Sequence, residues 1–246
     1  MNRRSLLAFL ALAASPLAAV DIVAHRGASF DAPENTLAAQ KLAWKQKADV
    51  VETDIWLTKD GKIIVSHDKN GKRTAGKEVL ITESTQAELR ELDAGKWKAP
   101  EFAGEKLPTL DEQLALIPAG KRLFVEIKDG PHIVPELVRC IERAKQSPKT
   151  VEIISFNYAS LKKCRELLPA YKTQYLVGHP APNAKPPPKK RQPTLDEIIG
   201  EAKAAKLTGL DLQSTWPLTP ADTKKIKDAG LELHVWTVDD PAVAKH

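Results

Sequence analysis

Val50-Val51-Glu52-Thr53-Asp54-Ile55-Trp56-Leu57 is the stretch on which the fold reading turns. Its β-branched and aromatic residues specify a strand, and strand side chains at i and i+2 share a face. Glu52 and Asp54 therefore project together, with Val, Ile and Trp around them. Acids so placed are poorly explained as solvated charges, because the outer face of such a strand packs on helices and buried acids need partners.

Working outward, Leu123-Phe124-Val125-Glu126-Ile127-Lys128 repeats the pattern and sets Glu126 beside Lys128. Further strands are expected at Asp21–His25, Val151–Phe156, Thr173–Val177, Gly209–Leu212 and Leu231–Val238, with a short extra one at Ile63–His67 after the Asp60-Gly61 turn. Helical patterns fall between them at Thr36–Lys47, Thr85–Leu92, Leu110–Leu116, Pro135–Gln146, Tyr158–Leu168, Leu195–Lys206 and Ala221–Ala229. Strands alternating with helices predict a parallel α/β sheet. Pro-Thr-Leu-Asp-Glu occurs twice, at 108–112 and 193–197, and reads as two capping boxes with Thr109 and Thr194 as N-caps.

Four short motifs carry the chemistry: His25-Arg26-Gly27, Glu52-x-Asp54, His67-Asp68 and Glu126-x-Lys128. Three carboxylates with no Cys ligand suit Ca²⁺ or Mg²⁺. Arg26 offers a bidentate fork for phosphate and Lys128 a compact second cation. Imidazoles such as His25 and His67 exchange protons near neutral pH. Together these groups outline a metal-assisted phosphodiester site.

These motifs, in this order, resemble the glycerophosphodiester phosphodiesterase family of the phospholipase C-like phosphodiesterase superfamily. The likeness extends through Pro33-Glu34-Asn35-Thr36, Thr58-x-Asp60-Gly61, Arg73-Thr74, Leu89 to Gly95, Phe102 to Leu110, and Val235-Trp236-Thr237-Val238, covering the chain from about Asp21 onward. It implies a TIM (β/α)₈-type barrel with a short insertion after strand 2, although only seven barrel strands are read where eight are needed. It implies Glu52, Asp54 and Glu126 as metal ligands, His25 and His67 as the acid–base pair, and a site at the C-terminal ends of the strands. The expected reaction is hydrolysis of a glycerophosphodiester to glycerol 3-phosphate and an alcohol. Which histidine is base, and whether water or a glycerol hydroxyl attacks, stays open. Two rival readings are a lysophospholipase D-like lipid phosphodiesterase and a catalytically inactive exported binding protein. Asp239 departs from the family, which usually has Asn there.

Other residues receive subsidiary readings. Asn35 is a plausible cap of the first helix, Glu34 a support for the site, and Asp68 a group that orients His67. Trp236 is either an apolar wall for the glycerol moiety or core packing. His132, His179, His234 and His246 lack a carboxylate at a useful spacing. The proline-rich run 179–193 is expected to be a semi-rigid connector on the catalytic face, with a substrate-selecting rim as the alternative.

The chain has 246 residues, 42% hydrophobic and 28% charged, enough for one large core. Residues 1–19 show the charged, apolar and small-residue zones of a secretory signal, too short for a permanent membrane span. Cleavage after Ala19, with Ala14 competing, leaves a barrel domain at 20–246 in the periplasm or outside the cell. It also removes Arg3 and Arg4 and no acid, lowering the formal charge of +5 by two. That mild cationic bias suits a small anionic substrate, while no basic stripe with aromatics marks a nucleic-acid binder. Cys140 and Cys164 sit on consecutive expected helices and pair only if their side chains face each other. Oligomeric state is not legible.

Overall fold

The computed structural model describes residues 20–179 and 191–239. The signal segment, most of the proline-rich run and His246 lie outside the described residues.

In chain order the elements are β1 (Val23–Ala24), α1 (Leu37–Lys45), β2 (Val50–Leu57), β3 (Ile63–Val65), α2 (Lys72–Ala75), α3 (Gln86–Arg90), α4 (Leu110–Ala115) and β4 (Arg122–Ile127). There follow α5 (Val134–Arg143), β5 (Val151–Ser155), α6 (Tyr158–Leu167), β6 (Lys172–Val177), α7 (Leu195–Ala204), β7 (Gly209–Gln213), α8 (Pro220–Asp228) and β8 (Glu232–Trp236). Seven strands pair in parallel in the order β1-β2-β4-β5-β6-β7-β8, and β3 pairs antiparallel with β2. Among the described residues this is a curled seven-stranded sheet of TIM-barrel type, with β1 and β8 at its two ends. The segment between β2 and β4 is the expected insertion.

The alternation of strand residues sorts the interior. Val51, Ile55, Leu123, Val125, Val151, Ile153, Leu210 and Leu212 pack against the helices through Leu137, Ile141, Leu161, Ile198 and Ile226. The opposite, concave face carries Val50, Phe124, Ile154 and Leu176 with Trp236 against them. The insertion has its own small core of Ile64, Ile81, Leu89, Leu92, Ala94 and Leu107. Ile64 belongs to it while its neighbours Ile63 and Val65 face the main core, so β3 fastens the insertion to the barrel through the period of two.

Local chemistry explains where elements begin and end. Both predicted capping boxes form, Thr109 with Glu112 and Thr194 with Glu197, and Thr85–Glu88 and Thr219–Asp222 add two more. β1 is shorter than expected because Arg26 (φ 57°) and Gly27 (φ 79°) leave the extended region immediately after His25. The N-cap of α1 is Thr36, whose hydroxyl accepts from the Ala39 N–H, not Asn35. α2 was not predicted, since one turn is too short to show a helical period.

Ile64 is fully buried. Ile64→Ala is expected to cost about 2–5 kcal/mol, as large-to-small changes in a core do, measured as a lower urea midpoint.

Candidate active site

Glu52 and Asp54 lie in the third and fifth positions of β2, and Glu126 in the fifth of β4, in direct register with Asp54. One oxygen from each approaches the other two within 4.8 Å, and all three residues are buried. Glu52 Oε2 accepts the Arg26 backbone N–H at 2.8 Å, with His25 Nε2 4.0 Å away. Asp54 Oδ2 accepts from Asn35 Nδ2 at 2.8 Å and lies 3.5 Å from Arg26 Nε. Lys128 Nζ donates to Glu126 Oε1 at 2.8 Å and sits 3.5 Å from Asp54 Oδ1. Glu52 Oε1 and Asp54 Oδ1 are buried without a hydrogen-bond partner.

Burial, and then the charges of Asp54 and Glu126, push the Glu52 carboxyl well above the usual carboxylate range. Burial, followed by Asp54, pushes Glu126 up to about 7 against the opposing pull of Lys128. Burial opposes the charge on Lys128, but Asp54 and Glu126 outweigh it and raise its pKa. Orphaned oxygens converging among like charges are costly unless a cation joins them. The residues therefore fit a divalent cation, and an all-carboxylate set is one for a hard ion.

The loop after β1 is built around this cluster. Gly27 has φ 79°, and a Cβ there would lie 2.7 Å from the Ala39 backbone carbon, so only glycine lets the loop meet α1. Asn35, also left-handed (φ 60°), turns its amide inward. Its Oδ1 accepts from Thr53 Oγ1 at 3.1 Å and from the Asp54 N–H at 3.2 Å, while its Nδ2 holds the Asp54 carboxylate. Sequence reading missed this role. Its one signal was an Asn, a residue tolerant of positive φ, beside Glu34 and Thr36.

The second histidine comes from the insertion. Its backbone is held by Trp56, whose Nε1–H donates to the His67 carbonyl at 3.3 Å. His67 Nδ1 lies 2.8 Å from Asp68 Oδ1, and Arg73 Nε donates to Asp68 Oδ2 at 2.7 Å. Both Nη groups of Arg73 bind Glu34 at 2.7 Å, and Glu34 Oε1 also accepts from Arg26 Nη1 at 3.0 Å. Burial, then the neighbouring Arg26, lowers the pKa of His25, which favours its neutral ring.

Trp236 donates its Nε1–H to the Asp211 carbonyl at 3.1 Å and meets Phe156 edge-on with ring centroids 5.5 Å apart. Lys128 Nζ lies 6.0 Å from the Phe156 ring, which puts Phe156 beside the charged cluster, while Trp236 packs on the apolar layer of Val50, Phe124, Ile154 and Leu176. A cleft of about 700 Å³ opens beside the β1 loop, lined by Ser29, Phe30, Lys98 and Asp239. Phe30 is 91% exposed there.

A second group, Glu152, Glu232 and His234, also has ligating atoms within 4.8 Å of one another. It sits at the opposite, N-terminal end of the strands, and Gln174 and Lys172 already occupy the Glu232 oxygens at 3.0 and 2.6 Å. His234 Nδ1 is 3.9 Å from Glu152, and His132 Nε2 is 3.2 Å from Asp129 Oδ2. Asp129, one turn before His132, corrects the reading that this histidine lacks a carboxylate at a useful spacing, whereas His234 Nδ1 makes no hydrogen bond. Cys140 and Cys164 are buried free thiols.

With this geometry in hand, comparison with known proteins is decisive about class. Residues 25–246 match the model of the glycerophosphoryl diester phosphodiesterase family, and the chain belongs to that family. A Bacillus subtilis glycerophosphodiester phosphodiesterase is 34% identical over 236 residues, covering 89% of this chain and 77% of its own. Another, from Caldanaerobacter subterraneus, is 39% identical over 158 residues, covering 61% and 64%. Bacillus subtilis YhdW is 40% identical over 159 residues. The chain spans 65% of YhdW and 64% of the Caldanaerobacter relative. Among solved structures, an Oleispira antarctica phosphodiesterase in complex with the product sn-glycerol-3-phosphate superposes with a TM-score of 0.79 at 29% identity. That match covers 92% of this chain and 87% of the other.

Three experiments check this geometry. Asn35→Ala should destabilise the fold by about 1–3 kcal/mol for the partners it strands, and weaken divalent-metal affinity roughly 10- to 100-fold, read by calorimetric titration. Because Glu126 has a folded-state pKa above its usual 4.5, its contribution to metal-free stability is present below that value and lost as pH rises through about 7. In chelator, Glu126→Gln should flatten that part of the stability–pH curve. Added metal should raise the Tm of the unsubstituted chain more near pH 8 than near pH 5, since protons compete for the same oxygens.

Proposed function

We propose that this chain hydrolyses glycerophosphodiesters to glycerol 3-phosphate and an alcohol. One observation supports this above the rest: a buried three-carboxylate cluster with orphaned oxygens, flanked by Arg26 and Lys128 and by His25. It occupies the C-terminal ends of barrel strands, where such folds place their sites. The Oleispira relative's product, sn-glycerol-3-phosphate, has the anionic group that these cations would receive.

Glu52, Asp54 and Glu126 would hold the divalent ion, which when bound supplies charge neutralisation at a phosphoryl oxygen. Arg26 and Lys128 bind and orient the phosphodiester and offset its charge. Of His25 and His67, one imidazole takes the proton of the attacking hydroxyl and the other delivers one to the departing alkoxide. Trp236 and Phe156 wall the glycerol side and exclude water from it. Ca²⁺ and Mg²⁺ are the candidate ions, since an oxygen-only set serves either. The charged, apolar and small-residue pattern of residues 1–19 supports export to the periplasm or beyond. Among the described residues no helix is long and apolar enough to cross a membrane.

A lysophospholipase D-like activity is the second reading, favoured by the exposed Phe30, Trp97 and Phe156. The test is glycerol 3-phosphate release from glycerophosphocholine by residues 20–246, with Ca²⁺ or Mg²⁺ and with chelator, beside a lysophosphatidylcholine arm. Metal-dependent release, reduced roughly 10²- to 10⁴-fold in His25→Ala, is expected. Turnover of the lysolipid alone would replace this reading with the second, and metal binding without turnover would make the chain a binding protein.

A further inference from the structure

The two histidines come from separate structural units. His25 follows β1 on the barrel, while His67 follows β3 in an insertion with its own hydrophobic core. Contacts between these units decide whether the pair faces a common substrate. Arg73, on α2 of the insertion, spans the division: it donates two hydrogen bonds to Glu34 on the β1–α1 loop and one to Asp68 beside His67.

Resting on the phosphodiesterase reading, we propose that Arg73 is a positioning residue that clamps Asp68 against His67, fixes the Nδ1–H tautomer of that ring and so presents Nε2 for proton transfer. An ionised carboxylate only accepts hydrogen bonds, so the 2.8 Å contact with Asp68 Oδ1 requires the proton on His67 Nδ1. The lone pair of the neutral ring is then on Nε2. Burial works to raise the Asp68 pKa, but the hydrogen bonds from Arg73 and His67 together outweigh it and the carboxyl is held below its usual value. Asp68 is only part-buried, so its carboxylate turns to solvent once Arg73 no longer fixes its other oxygen. The planar fork matters because the three bonds use both Nη groups and Nε at once, a geometry that a lysine ammonium cannot reproduce. At the far end Glu34 also binds Arg26, so the chain Arg26–Glu34–Arg73–Asp68–His67 alternates in charge and joins both histidine loops.

The test compares the unsubstituted chain with Arg73→Met and Arg73→Lys, using kinetics on glycerophosphocholine and ¹⁵N NMR of histidine-labelled protein, with His67→Gln to assign the ring signals. In the unsubstituted chain, neutral His67 should be a single Nδ1–H tautomer. Arg73→Met should show a mixture, with kcat reduced roughly 10- to 100-fold and KM little changed. Arg73→Lys, which keeps one charge beside Asp68, should retain more of the Nδ1–H form and an intermediate kcat; it also decides the question should Arg73→Met fail to fold. An unchanged kcat in Arg73→Met, or a lost kcat with an unchanged tautomer, would overturn the assignment. The tautomer is read without turnover, so absence of phosphodiesterase activity in the unsubstituted chain would sink the functional reading and leave this one still decided.

Discussion

Holding three carboxylates together away from water is the constraint to which the C-terminal end of the barrel strands answers. Glu52, Asp54 and Glu126 repel one another, and burial removes the solvent that would screen them. The chain responds in two ways. It surrounds the cluster with the Arg26 guanidinium and backbone N–H, the Asn35 amide and the Lys128 ammonium. It also leaves two oxygens without a partner, the property that fits the cluster to a cation. The left-handed backbone at Arg26, Gly27 and Asn35 serves the same end: it folds one loop tightly enough to aim a backbone N–H, a guanidinium and an amide at two strand residues.

The concave interior is layered by strand alternation. At the base lie Arg122, Glu152, Lys172, Gln174 and Glu232, linked to one another. An apolar layer of Val50, Phe124, Ile154 and Leu176 follows, and the carboxylate cluster stands above it. The base network is internally neutralised, whereas the upper cluster is not. That difference in charge balance separates the two groups more clearly than residue type or unpaired atoms do, since both contain two glutamates and Gln174 Oε1 at the base is also buried without a partner.

The insertion adds a dependence that a barrel alone lacks. His67 belongs to a unit fastened by β3, by the small core around Ile64 and by the ion pairs of Arg73. Chemistry shared between two units requires that their relative placement be fixed, and apolar packing fixes distance better than it fixes ring orientation. Directional, charge-assisted hydrogen bonds fix orientation.

What the sequence by itself determined follows from short-range periodicity. The β2 run reads unambiguously because i, i+2 spacing places Glu52 and Asp54 on one face whatever surrounds them, and Thr-x-x-Glu capping boxes form from four adjacent residues. The parallel α/β order was legible on the same basis, whereas the family was legible from the ordered motifs, by resemblance and not by periodicity. Only the tertiary structure decided the role of Asn35, which from sequence looked like a cap and in the fold holds Asp54 nineteen positions away. It alone joined Arg73 to Glu34 across 39 positions, and Gln174 to Glu152 from separate strands. Such contacts depend on which strands become neighbours and on positive-φ turns that no periodic pattern encodes, so they exist only once the chain has closed on itself.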